Sequence, residues 1–300
     1  MSWIFYTIAA VILQTFRNLE QKSLAKKLDS FTVSWSRFIL PLPFALAVLL
    51  QTFQAVNQQF VFYCIVTAVM QIAGNIFLLQ TFKSKNFSIG IAFYKTEVLQ
   101  ALLIGMLFFH AEISAMEIAA ILVTTAGVIM MSGLVFNGSS QKFLQSLKNP
   151  AAFFGLLCGF CFSISAFSLK FAAEELYGLG FTGIKPPLMV LMWVIFLQNI
   201  LFIAVKLWQK RLIKDWRSLF SAENKSSFLR TSLLSFAGSV CWFIAFALGS
   251  VIHIKAVGQL ELVLAILASY FILQERPNKL ELAGIALTAL GILWLIFEQL

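Results

Sequence analysis

The chain has 300 residues, of which 60% are hydrophobic and only 12% charged, with a mean hydropathy of +0.89. A soluble domain of this size carries about a quarter charged residues, so these apolar side chains exceed what one core can hold and lipid must solvate much of the surface. The net charge of +9 points to no nucleic-acid partner, because the basic residues lie in short links between apolar runs, the pattern of membrane orientation.

A hydrocarbon core of about 30 Å takes roughly 20 residues of helix. That ruler predicts ten spans, near 3–19, 31–51, 60–82, 88–109, 117–135, 151–170, 187–207, 229–249, 252–273 and 280–298. The expected fold is an all-α integral membrane protein of ten transmembrane helices. Met1-Ser2-Trp3 shows no basic signal-peptide region and reads as the start of the first span. Pro41 and Pro43 are expected to bend or loosen the second span. The sixth opens at Asn149-Pro150 and carries a small-residue stripe, Gly155, Gly159 and Ser163, suited to close helix approach within the subunit or in a homodimer. Only Gly249-Ser250-Val251 joins the eighth and ninth spans, which keeps a nine-span reading open. No soluble domain fits the links.

The basic residues alternate between links. Seventeen lie on one side: Arg17, Lys22, Lys26, Lys27, Lys83, Lys85, Lys142, Lys148, Lys206, Lys210, Arg211, Lys214, Arg217, Lys225, Arg230, Arg276 and Lys279. Lys170 and Lys185 alone lie on the other. The positive-inside rule puts the odd-numbered links in the cytoplasm and both termini outside it. The expected location is a cell membrane, a bacterial inner membrane, crossed many times.

A shift of 164 residues brings two stretches into register. Gln71, Gly74 and Asn75 fall on Ser235, Gly238 and Ser239, and Glu97, Glu117 and Gly127 fall on Glu261, Glu281 and Gly291. The chain therefore reads as two five-helix repeats, 1–136 and 150–300. Five is odd, so the second copy enters the membrane from the opposite side. Inverted repeats place a transporter's substrate site near the bilayer midplane, where the copies face each other.

These residues resemble the EamA-type members of the drug/metabolite transporter superfamily over nearly the whole chain. Glu261 through Glu275, followed by Gly284 and Gly291, looks like the second copy's signature; Glu97 through Glu112, then Gly127, looks like the first. Arg37 matches a basic position common in the family. Gln274 stands where glycine is usual, and Val263 near where proline is frequent. The resemblance implies a small-solute carrier, with export as the family tendency.

Ionisable groups within spans cost about 2.5–3.5 kcal/mol each to insert at a helix centre. Arg37, Lys95, Glu97, Lys255 and Glu261 are such groups. Glu97 and Glu261 each lie about nine residues into a predicted helix, some 13 Å deep at the helical rise. They are candidates to line a cavity and bind a coupling proton, or else to form structural ion pairs with Arg37, Lys95 or Lys255. Lys95 and Glu97, two apart on a helix, point away from each other. Gln71 with Asn75, and Lys255 with Gln259, share helix faces at i,i+4 and are candidate substrate contacts, or polar glue between helices.

Cys158-x-x-Cys161 has redox spacing but lies in an apolar helix. His110 and His253 are the only histidines, and no phosphate-loop sequence occurs, so no metal, no cofactor and no ATP-driven step is implied. The function read from the sequence is a secondary-active transporter of a small polar metabolite such as an amino acid, working by alternating access. A flippase for a lipid-linked head group is the alternative carrier. A non-transport membrane receptor or intramembrane enzyme is the further alternative, less favoured because the sequence shows neither long structured loops nor a convergent nucleophile and base.

Overall fold

The computed structural model describes residues 2–52, 55–83, 87–131, 149–273 and 278–298. Expectations resting on Lys85, Lys142, Lys148, Gln274, Glu275 and Arg276, and on the last residues of the fifth span, lie outside them. Among the described residues all regular structure is helical. Six stretches are long and apolar enough to cross a membrane: Gln58–Thr81, Gly90–Phe109, Pro150–Gly178, Lys185–Trp208, Lys225–Leu248 and Lys279–Phe297. Phe5, Leu50, Phe62, Phe108, Leu233 and Phe297 stand exposed, as lipid-facing side chains should.

The chain forms two compact units, one of residues Met1–Ile76 and Ile164–Gly249, the other of Phe77–Ser163 and Ser250–Leu300. Two of the three divisions fall inside long helices and the third between Gly249 and Ser250, so each unit draws on both halves of the sequence.

The first unit contains α1 (Ser2–Ala25), α2 (Ser30–Trp35), α3 (Leu42–Thr52) and the start of α4 (Gln58–Lys83). Asp29 caps α2, its carboxylate accepting from the Phe31 and Thr32 N–H groups, a typical N-cap. The second span, expected as one bent helix, is broken between Trp35 and Leu42. Pro43 fits the first turn of α3, where its missing N–H costs nothing, but neither it nor Pro41 could sit inside a continuous helix. The end of α8 (Pro150–Gly178), α9 (Lys185–Trp208), α10 (Leu212–Leu219) and α11 (Lys225–Leu248) complete the unit. α1 runs along α11, where Gln14 accepts from Trp242 Nε1 and Glu20 pairs with Arg230. Phe202 of α9 is buried against Phe31 and Phe38.

The second unit holds α5 (Phe87–Lys95), α6 (Glu97–Phe109), α7 (Ala115–Met131), α12 (Val251–Val257), α13 (Leu260–Leu273) and α14 (Lys279–Phe297), with the end of α4 and the start of α8. α7 packs along α14 through glycines. A Cβ on Gly127 would lie 2.6 Å from the Thr288 nitrogen, and one on Gly291 would lie 2.7 Å from the Thr124 nitrogen. The partner's number falls as the residue's own rises, so the two helices run antiparallel. The fourth and ninth spans, expected as continuous helices, are each interrupted, at Thr96 and at Gly258-Gln259.

Candidate functional site: crossed ion pairs at two broken helices

Within the second unit, α5 ends on Lys95 and α6 begins on Glu97, while Lys255 lies in the last turn of α12 and Glu261 in the first turn of α13. All four side chains are buried. Lys95 Nζ lies 2.5 Å from Glu261 Oε2, and Lys255 Nζ lies 2.8 Å from Glu97 Oε2. Each pair joins one broken helix to the other, and the two pairs cross. Each cation sits at a helix C-terminus and each anion at an N-terminus, so every charge also meets a helix dipole of favourable sign. The pairing is between helices, not between the neighbours Lys95 and Glu97.

The break points are held by short-range bonds. Gln259 Nε2 donates to the Lys95 carbonyl at 3.2 Å, and Ser163 Oγ donates to the Glu97 carbonyl at 3.1 Å. Lys95 and Lys255 lie over the rings of Tyr94 and Phe162 at 4.9 and 5.7 Å, a further favourable contact for a buried cation. The small-residue stripe of α8 lets this helix approach: a Cβ on Gly155 would stand 2.9 Å from the Tyr94 nitrogen, and one on Gly159 would stand 3.2 Å from Glu97 Cβ. Lys255 and Gln259 do not share one helix face, because the helix stops between them. Nearby, His253 Nε2 lies 3.1 Å from Glu117 Oε1.

The first unit carries a neutral polar network. Gln198 Nε2 donates to Gln71 Oε1 at 3.0 Å, and Gln21 Nε2 donates to Asn75 Oδ1 at 3.4 Å. Asn199 accepts from Trp35 Nε1 and donates to the Phe38 carbonyl, while Ser232 donates to the Arg37 carbonyl. Arg37 is itself buried, its guanidinium over the Phe38 ring. Gln21 Oε1, Asn75 Nδ2 and Gln198 Oε1 are buried without a hydrogen-bond partner among the described residues, an arrangement that favours a polar ligand or water. Gln71 and Asn75 thus share a face but bind different helices, and Gln21, Gln198 and Asn199 are members that helix periodicity alone did not single out.

A second charged cluster was hidden by its position. Lys206, counted from the sequence as a link charge, is fully buried, 2.5 Å from Asp215 Oδ2, 2.7 Å from Thr32 Oγ1 and 3.6 Å from Asp29 Oδ2. Arg211 flanks both carboxylates. Burial pushes the Asp29 carboxyl upward, but the Thr32 hydrogen bonds and the Lys206 and Arg211 charges outweigh it and hold its pKa below the usual value. The signal was available: the chain has only two aspartates, and both meet Lys206.

Among 27 solved chains that match this one, a structure described only as "Crystal structure of protein" is 14% identical, with a TM-score of 0.69 over 99% of this chain and 98% of that one. At that identity the likeness is one of fold. No curated protein sequence matches. The profile of the EamA-like transporter family matches residues 1–133 and 149–297, nearly the whole chain. The chain therefore belongs to the EamA-like transporter family and is a multi-pass membrane protein that carries a small-molecule substrate.

Proposed function

We propose that this transporter is a secondary-active exporter of small zwitterionic metabolites, amino acids among them. It works by alternating access through ten transmembrane helices in two inverted five-helix repeats. Both termini lie outside the cytoplasm, as the seventeen-to-two distribution of basic residues favours.

The observation that carries this reading is the crossed pairing of Lys95 with Glu261 and Lys255 with Glu97 at two helix breaks. Discontinuous helices are where transporters expose backbone and charge to substrate. Opening either pair in a buried site would strand two charges, at about 3–5 kcal/mol for an uncompensated one. A zwitterion offsets both at once, its carboxylate replacing Glu against Lys and its ammonium replacing Lys against Glu. A cargo of one sign satisfies only half of the opened pair. The acids follow the repeat, since Glu97 and Glu261 are 164 residues apart, whereas the lysines do not, Lys95 falling on Gln259. The two pairs are therefore inequivalent, so one can open while the other stays closed.

The test is counterflow into proteoliposomes with a panel of radiolabelled solutes matched in size, with and without a pH gradient. Zwitterionic amino acids should exchange, and their deaminated acids and decarboxylated amines should not. Equal exchange of all three classes, or of none, would overturn the proposal.

A further inference from the structure

Beyond Trp208 the chain turns back at once. Gln209 caps α9, Lys210 adopts a left-handed backbone with φ 55°, and the N–H groups of Lys210 and Arg211 donate to the Leu207 and Lys206 carbonyls at 2.9 and 3.0 Å. This is the Schellman closure, in which the left-handed position is usually glycine. Lysine stands there at a conformational cost that glycine would avoid.

The following helix, α10, presents three sectors at about 100° per residue. One faces the protein, with Asp215 buried on Lys206 and Leu219 fully buried. The next is apolar and exposed, Trp216 at 44% and Ile213 at 68%. The third carries Arg217 and Lys214, both exposed. Trp208, 83% exposed, and Leu207 extend the apolar surface at the end of α9. The nearby acids are already engaged: Asp29 and Asp215 meet Lys206 and Arg211, and Glu223 meets Lys27. Lys210, Lys214 and Arg217 form no ion pair among the described residues, so this face presents three uncompensated positive charges beside an apolar strip.

A helix so divided lies in the plane of the bilayer interface, apolar sector in the acyl region and cations at phosphate level. Exposed tryptophan favours the same depth. We propose that α10 and the Lys210 turn form a binding surface for anionic phospholipid head groups. A second copy of the chain does not fit this face as well, since a two-fold contact would set its like charges against one another.

The test measures quenching of tryptophan fluorescence by brominated lipids, for the whole protein in phosphatidylcholine vesicles with increasing phosphatidylglycerol. Trp208→Phe and Trp216→Phe variants identify the quenching that arises at α10. At those two tryptophans, wild-type protein should favour brominated phosphatidylglycerol over brominated phosphatidylcholine by tenfold or more, since each basic residue near an anionic surface contributes roughly fivefold. The Lys210→Gln/Lys214→Gln/Arg217→Gln variant should lose this preference, and Lys210→Arg/Lys214→Arg/Arg217→Lys should keep it. Thermal midpoints in pure phosphatidylcholine identify any variant that fails to fold, in which case the wild-type preference at Trp208 and Trp216 decides. No preference in wild type, or one that survives removal of all three charges, would overturn the proposal. Preference unchanged while the Gln variant alters oligomeric state would assign the surface to a second copy instead.

Discussion

Gly127 of α7 and Gly291 of α14 each press on the threonine one turn along the other's helix. Gly127 meets Thr288 and Gly284, and Gly291 meets Thr124 and Ala120. The two sets are related by the same shift of 164 residues that aligns the halves of the sequence, so the contact is reciprocal in the manner of a two-fold interface formed within one chain. We read this register as the mark of a duplicated pair of helices, because it involves particular atoms at close approach.

The stability of this contact is testable by the smallest possible addition. A methyl at Gly127 or Gly291 would meet backbone atoms within 2.6–2.9 Å, which cannot move without parting the helices. Gly127→Ala and Gly291→Ala should therefore destabilise by about 1–3 kcal/mol, despite the helix propensity that alanine adds. At Gly238 the nearest atom, Leu13 Cβ, is 3.5 Å away, so Gly238→Ala should be neutral or stabilising by up to about 1 kcal/mol. Thermal unfolding in detergent would rank the three, and equal losses at all three sites would contradict this account of the packing.

The crossed pairs make a second expectation that sequence proximity would get wrong. Lys95→Met should destabilise by about 3–5 kcal/mol by removing the ammonium buried against Glu261, and adding Glu261→Leu should restore most of that loss. Lys95→Met combined with Glu97→Leu should be worse than either single change, because it breaks both crossed pairs at once. A thermodynamic cycle on folded yield and melting temperature measures both combinations. Rescue by the neighbouring rather than the distant residue would show that the pairs are not those described.

Asp29 supplies a pH dependence whose sign follows from its environment. Its folded pKa lies below the usual value, so its contribution is fully present above the unfolded carboxylate pKa, about 3.9, and is lost as pH falls through the folded value. Asp29→Asn keeps an acceptor for the Phe31 and Thr32 N–H groups but removes the charge opposite Lys206 and Arg211. The variant should be less stable than wild type at neutral pH, and the gap should close on acidification below about pH 4. Asp29→Ala also loses the cap and should fall about 1 kcal/mol further at every pH. Melting curves between neutral and acid pH would decide, and a gap that widened on acidification would refute the assigned charge contacts.

What the sequence disclosed and what it hid divide along a physical line. Glu97 and Glu261 were legible because a carboxylate in an apolar run is costly wherever it occurs, and Gly155, Gly159 and Ser163 because helical spacing alone puts them on one face. The partners were not legible, since which lysine meets which glutamate depends on how distant helices are brought together. The break at Thr96 left no trace, there being neither glycine nor proline beside it, whereas Gly258 and Pro41 mark the other two. Lys206 was misread because it ends an apolar run and adjoins a basic link, so its burial by Asp215 and Thr32 looked like the start of solvent. Gln198 and Asn199 are adjacent amides in an apolar helix and Gln21 lies in the polar end of α1, and only the folded chain shows that Gln21 and Gln198 reach Asn75 and Gln71.

The remaining question is whether either glutamate carries a coupling proton. A proton on Glu261 Oε2 and the ammonium of Lys95 compete for the same oxygen, as a proton on Glu97 Oε2 and Lys255 do. Proton binding would therefore release a cross-brace between the broken helices and link protonation to movement. Glu261→Gln mimics the protonated acid in shape and removes the competition, so pH-driven transport should be abolished while substrate-for-substrate exchange persists. Glu97→Gln should do the same if the proton travels on the other pair. The amide also leaves a lysine buried without its anion, so folded yield and melting temperature must be measured for each variant. A variant that fails to fold is replaced by the pair with its lysine changed to methionine. We expect Glu261 to be the coupling residue, because His253, Lys255 and Gln259 make its span the most polar of the ten read from the sequence. Transport driven normally by a pH gradient in both glutamine variants, at wild-type expression, would end the proton-carrier reading and leave the crossed pairs as structural braces.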